Sequence, residues 1–587
     1  MDFRKFLTGK NLLISIVLVA LVFSTAGYFL FRKPPRVPME PYVPASALAY
    51  LEINSLTDLM DGLTDTKAWQ EIAPVLGLSS QLKQLGSGID LMSRTGIGPD
   101  EIVTLGRAQY AIVVTGIEAK ATSTEEGAAL NIKPQFALIA ETHASPETAA
   151  KLVSDRAAIL AKRIFGEATR EETADYQGTS VLIFRGEPEG RQLVATSSGS
   201  VVILANHEAA AKVCLDAIAR RTATLAEDEL LKQRRSEVDA DAGIFAYVTN
   251  AGIEKLTQVG PALFATRFTN DPDKLSMVAN LFGNMSKQTA EAFFYSLTFN
   301  DKEGVTEKYF TLLRPQLARG LAETMRPANN GNDFAVLALI PQNAQECTVL
   351  KVESAGALPE NLLKGLSPGL DIVAGLALRE FVIGFRKELG LEPGETLNNS
   401  IGSEVAIVKT QEDEPVALVF RVKDRNALSA AVNKYLTQDK ATITKENYNG
   451  VEIQISSKAD GSSAAFVGEY LILATRNQIA GMIDAQANGR SIEKDEQVKS
   501  AFANAPRFAS VLSFEDDSLK TAKMLLAISK LTRVTDGAPE ILERGEVRAS
   551  LERLPKLQSY TVFRDAGVYA ETRSAIGVFK RLGEWLE

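Results

Sequence analysis

The residues able to do chemistry are few, and their spacing is wrong for it. Histidine is the commonest general acid or base, and the chain has two, His143 and His207. His143 sits at a strand-to-helix junction and His207 just before a helix. Their counterparts in an internal repeat of the chain are Lys423 and Arg476, so both read as solvent-facing turn residues. The pair lacks ligand spacing and no cysteine lies near it, which argues against zinc. Gly365-Leu366-Ser367-Pro368-Gly369 has the form of a nucleophile elbow. Pro368 has no N–H for an oxyanion hole, no histidine follows Ser367, and the flanks do not read as a strand, so the motif reads as a turn. Ser80-Gln81-Leu82-Lys83 fits S-x-x-K without its supporting motifs, and reads as an exposed helix face with Leu82 and Leu85 inward.

Asp239-Ala240-Asp241-Ala242-Gly243 hints at a calcium loop. Its twelfth position would be Asn250, where a bidentate glutamate is needed. Glu515-Asp516-Asp517 reads as an acidic turn before a helix, which favours the helix dipole. There is no Walker loop and no G-x-G-x-x-G. With 73 acidic residues, sequence alone does not show which carboxylates meet in space. No catalytic residue, metal ligand or cofactor is assigned, and the expectation is a protein that is not an enzyme.

The 587 residues exceed one hydrophobic core. The net charge of -9, with no dense Lys/Arg block, does not suit nucleic acid. Two cysteines, Cys214 and Cys347, rule out a disulfide framework and read as buried thiols, with a single bridge left open.

From Asn11 to Phe31 the chain has no charged residue. As a helix rising about 1.5 Å per residue, this stretch spans roughly 31 Å, the thickness of a bilayer core. The rival reading is a cleaved signal peptide, with Ser24 and Ala26 as small residues at the cut. The anchor is preferred because the apolar run passes Ala26 and ends on Arg32-Lys33. Flanking positive charges are balanced, and the short basic N-terminus (1–10) favours N-inside. Residues 32–44, with five prolines, read as an extended stalk, the eleven residues from Pro34 to Pro44 spanning roughly 34 Å at about 3.1 Å per residue.

Beyond the stalk the chain repeats itself. IGPDEIVTLGRAQYAIVVT corresponds to LEPGETLNNSIGSEVAIVKT, and FALIAETHASPETAAKLV to VALVFRVKDRNALSAAVNKYL. Ser145 before Pro146, and Asp424 in the second copy, are helix N-caps. Tyr176-Gln177-Gly178 and Tyr448-Asn449-Gly450 are tight hairpin signals. SVVILANHEAAAKVCLDAI corresponds to YLILATRNQIAGMIDAQ, each a buried strand followed by a helix. Each half closes with a hairpin. Strands linked by hairpins and interrupted by helices predict an α+β fold. It comprises a single N-terminal transmembrane helix (11–31) and two tandem, similar halves (45–326 and 333–587, joined by 327–332) with mainly antiparallel sheets and packed helices.

The segment PASALAYLEINSLTDLMDGL, the Tyr-x-Gly hairpins at Tyr176 and Tyr448, and the LILAT and VILAN strands resemble a family of bacterial membrane-anchored proteins known only as a domain of unknown function. The resemblance spans most of Pro44 to Glu587. It implies an envelope-facing protein and carries no chemistry.

Three functions are expected, in descending order. The first is a non-catalytic, membrane-anchored extracytoplasmic envelope protein, an interaction or scaffold module with a protein partner, on the bacterial inner membrane. The second is a carrier or sensor of a lipid or other apolar ligand held between sheet and helices, with Phe264, Phe268, Met277, Leu281, Phe282 and Met285 as contacts. These six also read as plain core. A dry cavity of several hundred Å³ would favour this second reading. A carboxylate- or metal-dependent hydrolase comes last. The C-terminal run, with Ile576, Phe579, Leu582 and Trp585 at helical spacing, is expected to cap the second half.

Overall fold

The computed structural model describes residues 34–580 apart from 77–98, 125–126, 168, 188–189, 240, 266–288, 301–303, 329–333, 354, 359, 362–399, 412–413 and 532–538. Twenty strands lie in the described residues. The first ten are β1 (Ala49–Ile53), β2 (Gln109–Thr124), β3 (Gly127–Glu141), β4 (Arg170–Tyr176), β5 (Thr179–Gly186), β6 (Arg191–Ser198), β7 (Val201–Ala205), β8 (Ile244–Val248), β9 (Ala290–Asn300) and β10 (Gly304–Leu313). The rest are β11 (Glu346–Lys351), β12 (Ile401–Lys409), β13 (Ala417–Val422), β14 (Ile443–Tyr448), β15 (Val451–Ser456), β16 (Ser462–Val467), β17 (Tyr470–Thr475), β18 (Val511–Glu515), β19 (Leu557–Arg564) and β20 (Gly567–Ser574). Hydrogen-bonded neighbours run β4-β5-β6-β7-β3-β2-β1-β8-β9-β10, then β20-β19-β18-β11-β12-β13-β17-β16-β15-β14, all antiparallel. The second run repeats the first in mirror order. One sheet therefore crosses both halves. The cause is the last strand of each half, whose open edge is satisfied by its copy in the other.

The seam between β10 and β20 has two-fold character. Val305 pairs with Ser574 and Leu312 with Gly567, and the midpoint is Lys308 opposite Glu571. Gly304 and Gly567 open the two strands at φ +119° and +156°. A Cβ on Gly304 would run into the Ser574 carbonyl oxygen, and one on Gly567 into that of Thr311. The strands close to hydrogen-bonding distance at both ends because these two residues have no side chain.

Five helices flank the sheet at its two ends: α1 (Pro99–Arg107), α2 (Pro146–Phe165), α3 (Glu208–Ile218), α4 (Arg425–Leu436) and α5 (Arg476–Ala487). One sheet face forms a continuous core from Ile183 and Val194 through Phe245, Phe294, Phe310 and Tyr569 at the seam to Phe514, Ile472 and Ile453. Helices α3 and α5 cover it with Cys214, Leu215, Ile479 and Met482. Helices α2 and α4 pack on the other face, in separate clusters. In the hairpins, Gln177-Gly178 and Asn449-Gly450 all have positive φ, as a two-residue turn requires. The hairpin tyrosines tie turn to helix: Tyr176 donates to Asp216 at 2.9 Å and Tyr448 to Asp484 at 2.7 Å. Lys212 lies over the Tyr176 ring at 5.1 Å and Arg476 over Tyr448 at 5.0 Å.

Two expectations are corrected. No helix among the described residues is long and apolar enough to cross a membrane. The transmembrane helix expected over 11–31 is thus without support in the fold, and that segment lies outside the described residues. The stalk does not stand off. Met39 and Val43 are fully buried, Glu40 pairs with Arg235, Tyr42 donates to Glu141 at 3.0 Å, and Val37 is bonded through both backbone groups to Gln109. The apolar residues between the prolines draw this stretch onto the core. The C-terminal segment packs on the second half as expected, Ile576 joining Leu525 and Val547, and it also reaches across the seam: Phe579 stacks on Phe299 at 6.1 Å, and Val578 N–H donates to Glu307 at 3.2 Å. Leu582 and Trp585 lie outside the described residues.

Cys214 and Cys347 are free and buried, and burial pushes both thiols up to about 12. In native protein at neutral pH neither should react with an aromatic disulfide reagent, and both should react after denaturation; fast native labelling would contradict their placement. Gly567→Ala should cost about 3 kcal/mol or more, combining a left-handed φ with a backbone clash. Gly450→Ala, where a Cβ meets nothing within 4 Å, should cost about 1 kcal/mol. Urea denaturation of both variants checks the ordering.

Candidate ligand site

A departure from the repeat lies beneath α2. Ser145 Oγ caps this helix by accepting from Thr148 N–H at 3.3 Å, and Pro146 pre-sets its first turn. Its buried stripe is Ala149, Leu152, Val153, Ala157 and Ala161. Helix α4 is capped by Asp424, which accepts from Asn426 and Ala427 at 2.9 and 3.1 Å, and it buries Leu428, Val432 and Leu436. Counted from the caps, Ala149 corresponds to Leu428, Val153 to Val432 and Ala157 to Leu436. On the sheet, Ala140 pairs with Tyr110 and Val202, whereas Phe420 pairs with Val405 and Leu471 at the same place in the second half. Three alanines thus stand where the other half has Phe420, Leu428 and Leu436.

The missing side-chain volume appears as a cavity of about 300 Å³ between α2 and the sheet. Its floor is Tyr110, Leu138, Ala140, Val202 and Leu204, and Leu105 of α1 closes one side. Helix α2 supplies Leu152, Val153, Ala157, Ile159 and Leu160, with Arg156 and Arg163. Ile159 and Leu160 are 40% and 36% exposed, which marks the open side. Burial pushes the Tyr110 phenol up to about 12, and its hydroxyl donates to Leu105 O at 2.6 Å. The ring therefore faces the cavity as a neutral wall. Arg156 is held by Glu101 through Nε at 2.7 Å and Nη2 at 2.5 Å. Among the described residues the lining has no carboxylate, thiol or imidazole, so it is suited to binding.

A second cavity, of about 70 Å³, lies between β19, β20 and the helix Glu496–Asn504. Its carboxylate, Glu571, already accepts from Tyr560, Tyr569 and Arg573 at 2.9 to 3.2 Å.

The residues singled out from sequence fall elsewhere. Phe264 lies in the helix Asn250–Ala265. Phe268, Met277, Leu281, Phe282 and Met285 lie outside the described residues, as do Ser80 and Ser367. His207 is the N-cap of α3, its Nδ1 accepting from Ala209 at 3.1 Å, so its counterpart by cap is Thr475 and not Arg476. His143 is half-buried at φ 53°, and its Nε2 is buried without a partner, so it is not a solvent-facing residue. Asp239 accepts from Asp241 N–H and Thr298 at 3.1 and 3.0 Å. Asp517 is fully buried and pairs with Lys580 at 3.0 Å. Among the described residues no cluster of three His, Cys, Asp or Glu could hold a metal. The sign of the cavity in the sequence is alanine standing against a larger residue in the aligned repeats, Ala140 against Phe420 and Ala157 against Leu436.

Residues 395–524 match the model of a family described as a protein of unknown function, DUF3352. That stretch includes the Tyr448 hairpin and the LILAT strand, two of the features that carried the resemblance. No curated protein and no solved structure matches the chain. The cavity lies in the other half, outside the matched residues.

Leucine at position 140 should be accommodated, changing stability by less than about 1 kcal/mol, because the added atoms enter empty space. The same change at Ala137, fully buried in the continuous core, should cost about 1–3 kcal/mol. Equal losses at the two sites in urea denaturation would contradict the cavity.

Proposed function

We propose that the chain is a non-catalytic carrier or sensor of a small apolar ligand, held between α2 and the sheet of the first half. The supporting observation is the contrast between halves: alanines stand in place of Phe420, Leu428 and Leu436, and two of them, Ala140 and Ala157, line about 300 Å³ of apolar space. That volume falls at the lower end of small-molecule sites. An apolar void left unfilled costs stability, roughly 24 cal/mol per Å³ in cavity-forming substitutions. A ligand that fills it recovers dispersion contacts and removes its own apolar surface from water. The same contrast puts this reading ahead of a scaffold module, which needs no such space.

The test is fluorescence titration of the full-length protein with the neutral probe N-phenylnaphthylamine in detergent-free buffer. The wild type should bind it with one saturable site, and Ala140→Phe should weaken binding by at least about tenfold, or about 1.4 kcal/mol, while leaving the melting temperature unchanged or higher. Identical binding by the two proteins would place the probe elsewhere and remove the support for this function.

A further inference from the structure

We infer that the ligand is a single-chain amphiphile with an anionic head, its tail in the cavity beneath α2 and its head on Arg156 and Arg163. This rests on the reading of the cavity as a ligand site. Two observations carry it. The first is the charge of the lining: among the described residues, its ionisable side chains besides the neutral Tyr110 are two guanidinium groups, both on α2. They are seven residues apart, two helical turns, and therefore share one face roughly 10 Å long. The second is the anchoring of Arg156. Its two-point pair with Glu101 fixes the guanidinium plane beside the cavity and uses two of the five N–H donors. A guanidinium so oriented matches a carboxylate or another planar anion better than a neutral head group. Arg163 is exposed at the same rim.

The occupant's size follows from the volume. About 300 Å³ is roughly twice the dry cavity of ~150 Å³ that accepts one benzene ring. That suits one alkyl chain of medium length and excludes a two-chain lipid. The tail would enter beside Ile159 and Leu160, where the wall is open, and end against Ala140. The half-exposed apolar side chains of α2 would then be covered by the part of the chain nearest the head.

The test displaces N-phenylnaphthylamine from the full-length protein with dodecanoate or dodecyltrimethylammonium, each below its micelle concentration, or with dodecanol below its solubility limit. Wild type should bind dodecanoate about tenfold or more tightly than dodecanol, the effect of one charge-assisted hydrogen bond. Arg163→Gln should cut dodecanoate affinity by about tenfold and leave dodecanol unchanged. Equal affinities for the acid and the alcohol, equal effects of Arg163→Gln on both, or preference for the cation would overturn the anionic head and leave the cavity reading standing. Failure of all three to displace the probe, with Ala140→Phe without effect, would overturn both.

Discussion

The backbone pairing of β10 with β20 is the interaction on which the rest depends. Each half ends on a strand with one open edge, and an unpaired edge of hydrogen-bonding groups is both unsatisfied and prone to aggregation. Pairing the two edges removes that liability and makes one sheet from two copies. The approach is tight enough that Gly304 and Gly567 must lack side chains where they meet the opposite carbonyl oxygens. At the centre the register sets Lys308 against Glu571. Both are the fourth residue after their glycine, so a strict two-fold would oppose like charges there. Opposite charges at that point favour pairing between the halves over pairing of either half with another copy of itself.

The seam also releases each half from holding itself together alone. The core on one sheet face runs unbroken through both, and a second cluster joins Trp69 and Ile72 of the first half to Leu525, Val547 and Ile576 of the second. With stability spread over that interface, the far end of the first half can tolerate a void under α2. The second half fills the same layer with Phe420, Leu428 and Leu436. Duplication has thus left one copy filled in this layer and the other with a cavity.

Local features were legible in the sequence because their causes are local. The hairpins at Tyr176 and Tyr448 form at the Gln-Gly and Asn-Gly turns, and Ser145 and Asp424 cap helices as their types require. Pairing of β10 with β20 was not legible, since it joins residues more than 250 positions apart and only two glycines mark it. The docking of Met39 and Val43 was hidden by the prolines around them, whose fixed φ suits an extended spacer and a surface strap equally. The cavity was hidden for another reason: alanine on a buried face looks like ordinary core, and only the copy with Phe420 reveals what is missing.

The most direct measurement is native mass spectrometry of the full-length protein, purified without detergent from cells producing it, beside the Ala140→Phe variant prepared in the same way. The account predicts a reproducible non-covalent adduct on the wild type, lost on solvent extraction and absent from the variant. The same adduct on both proteins, or an unliganded wild type that also fails to take up added dodecanoate, would contradict it.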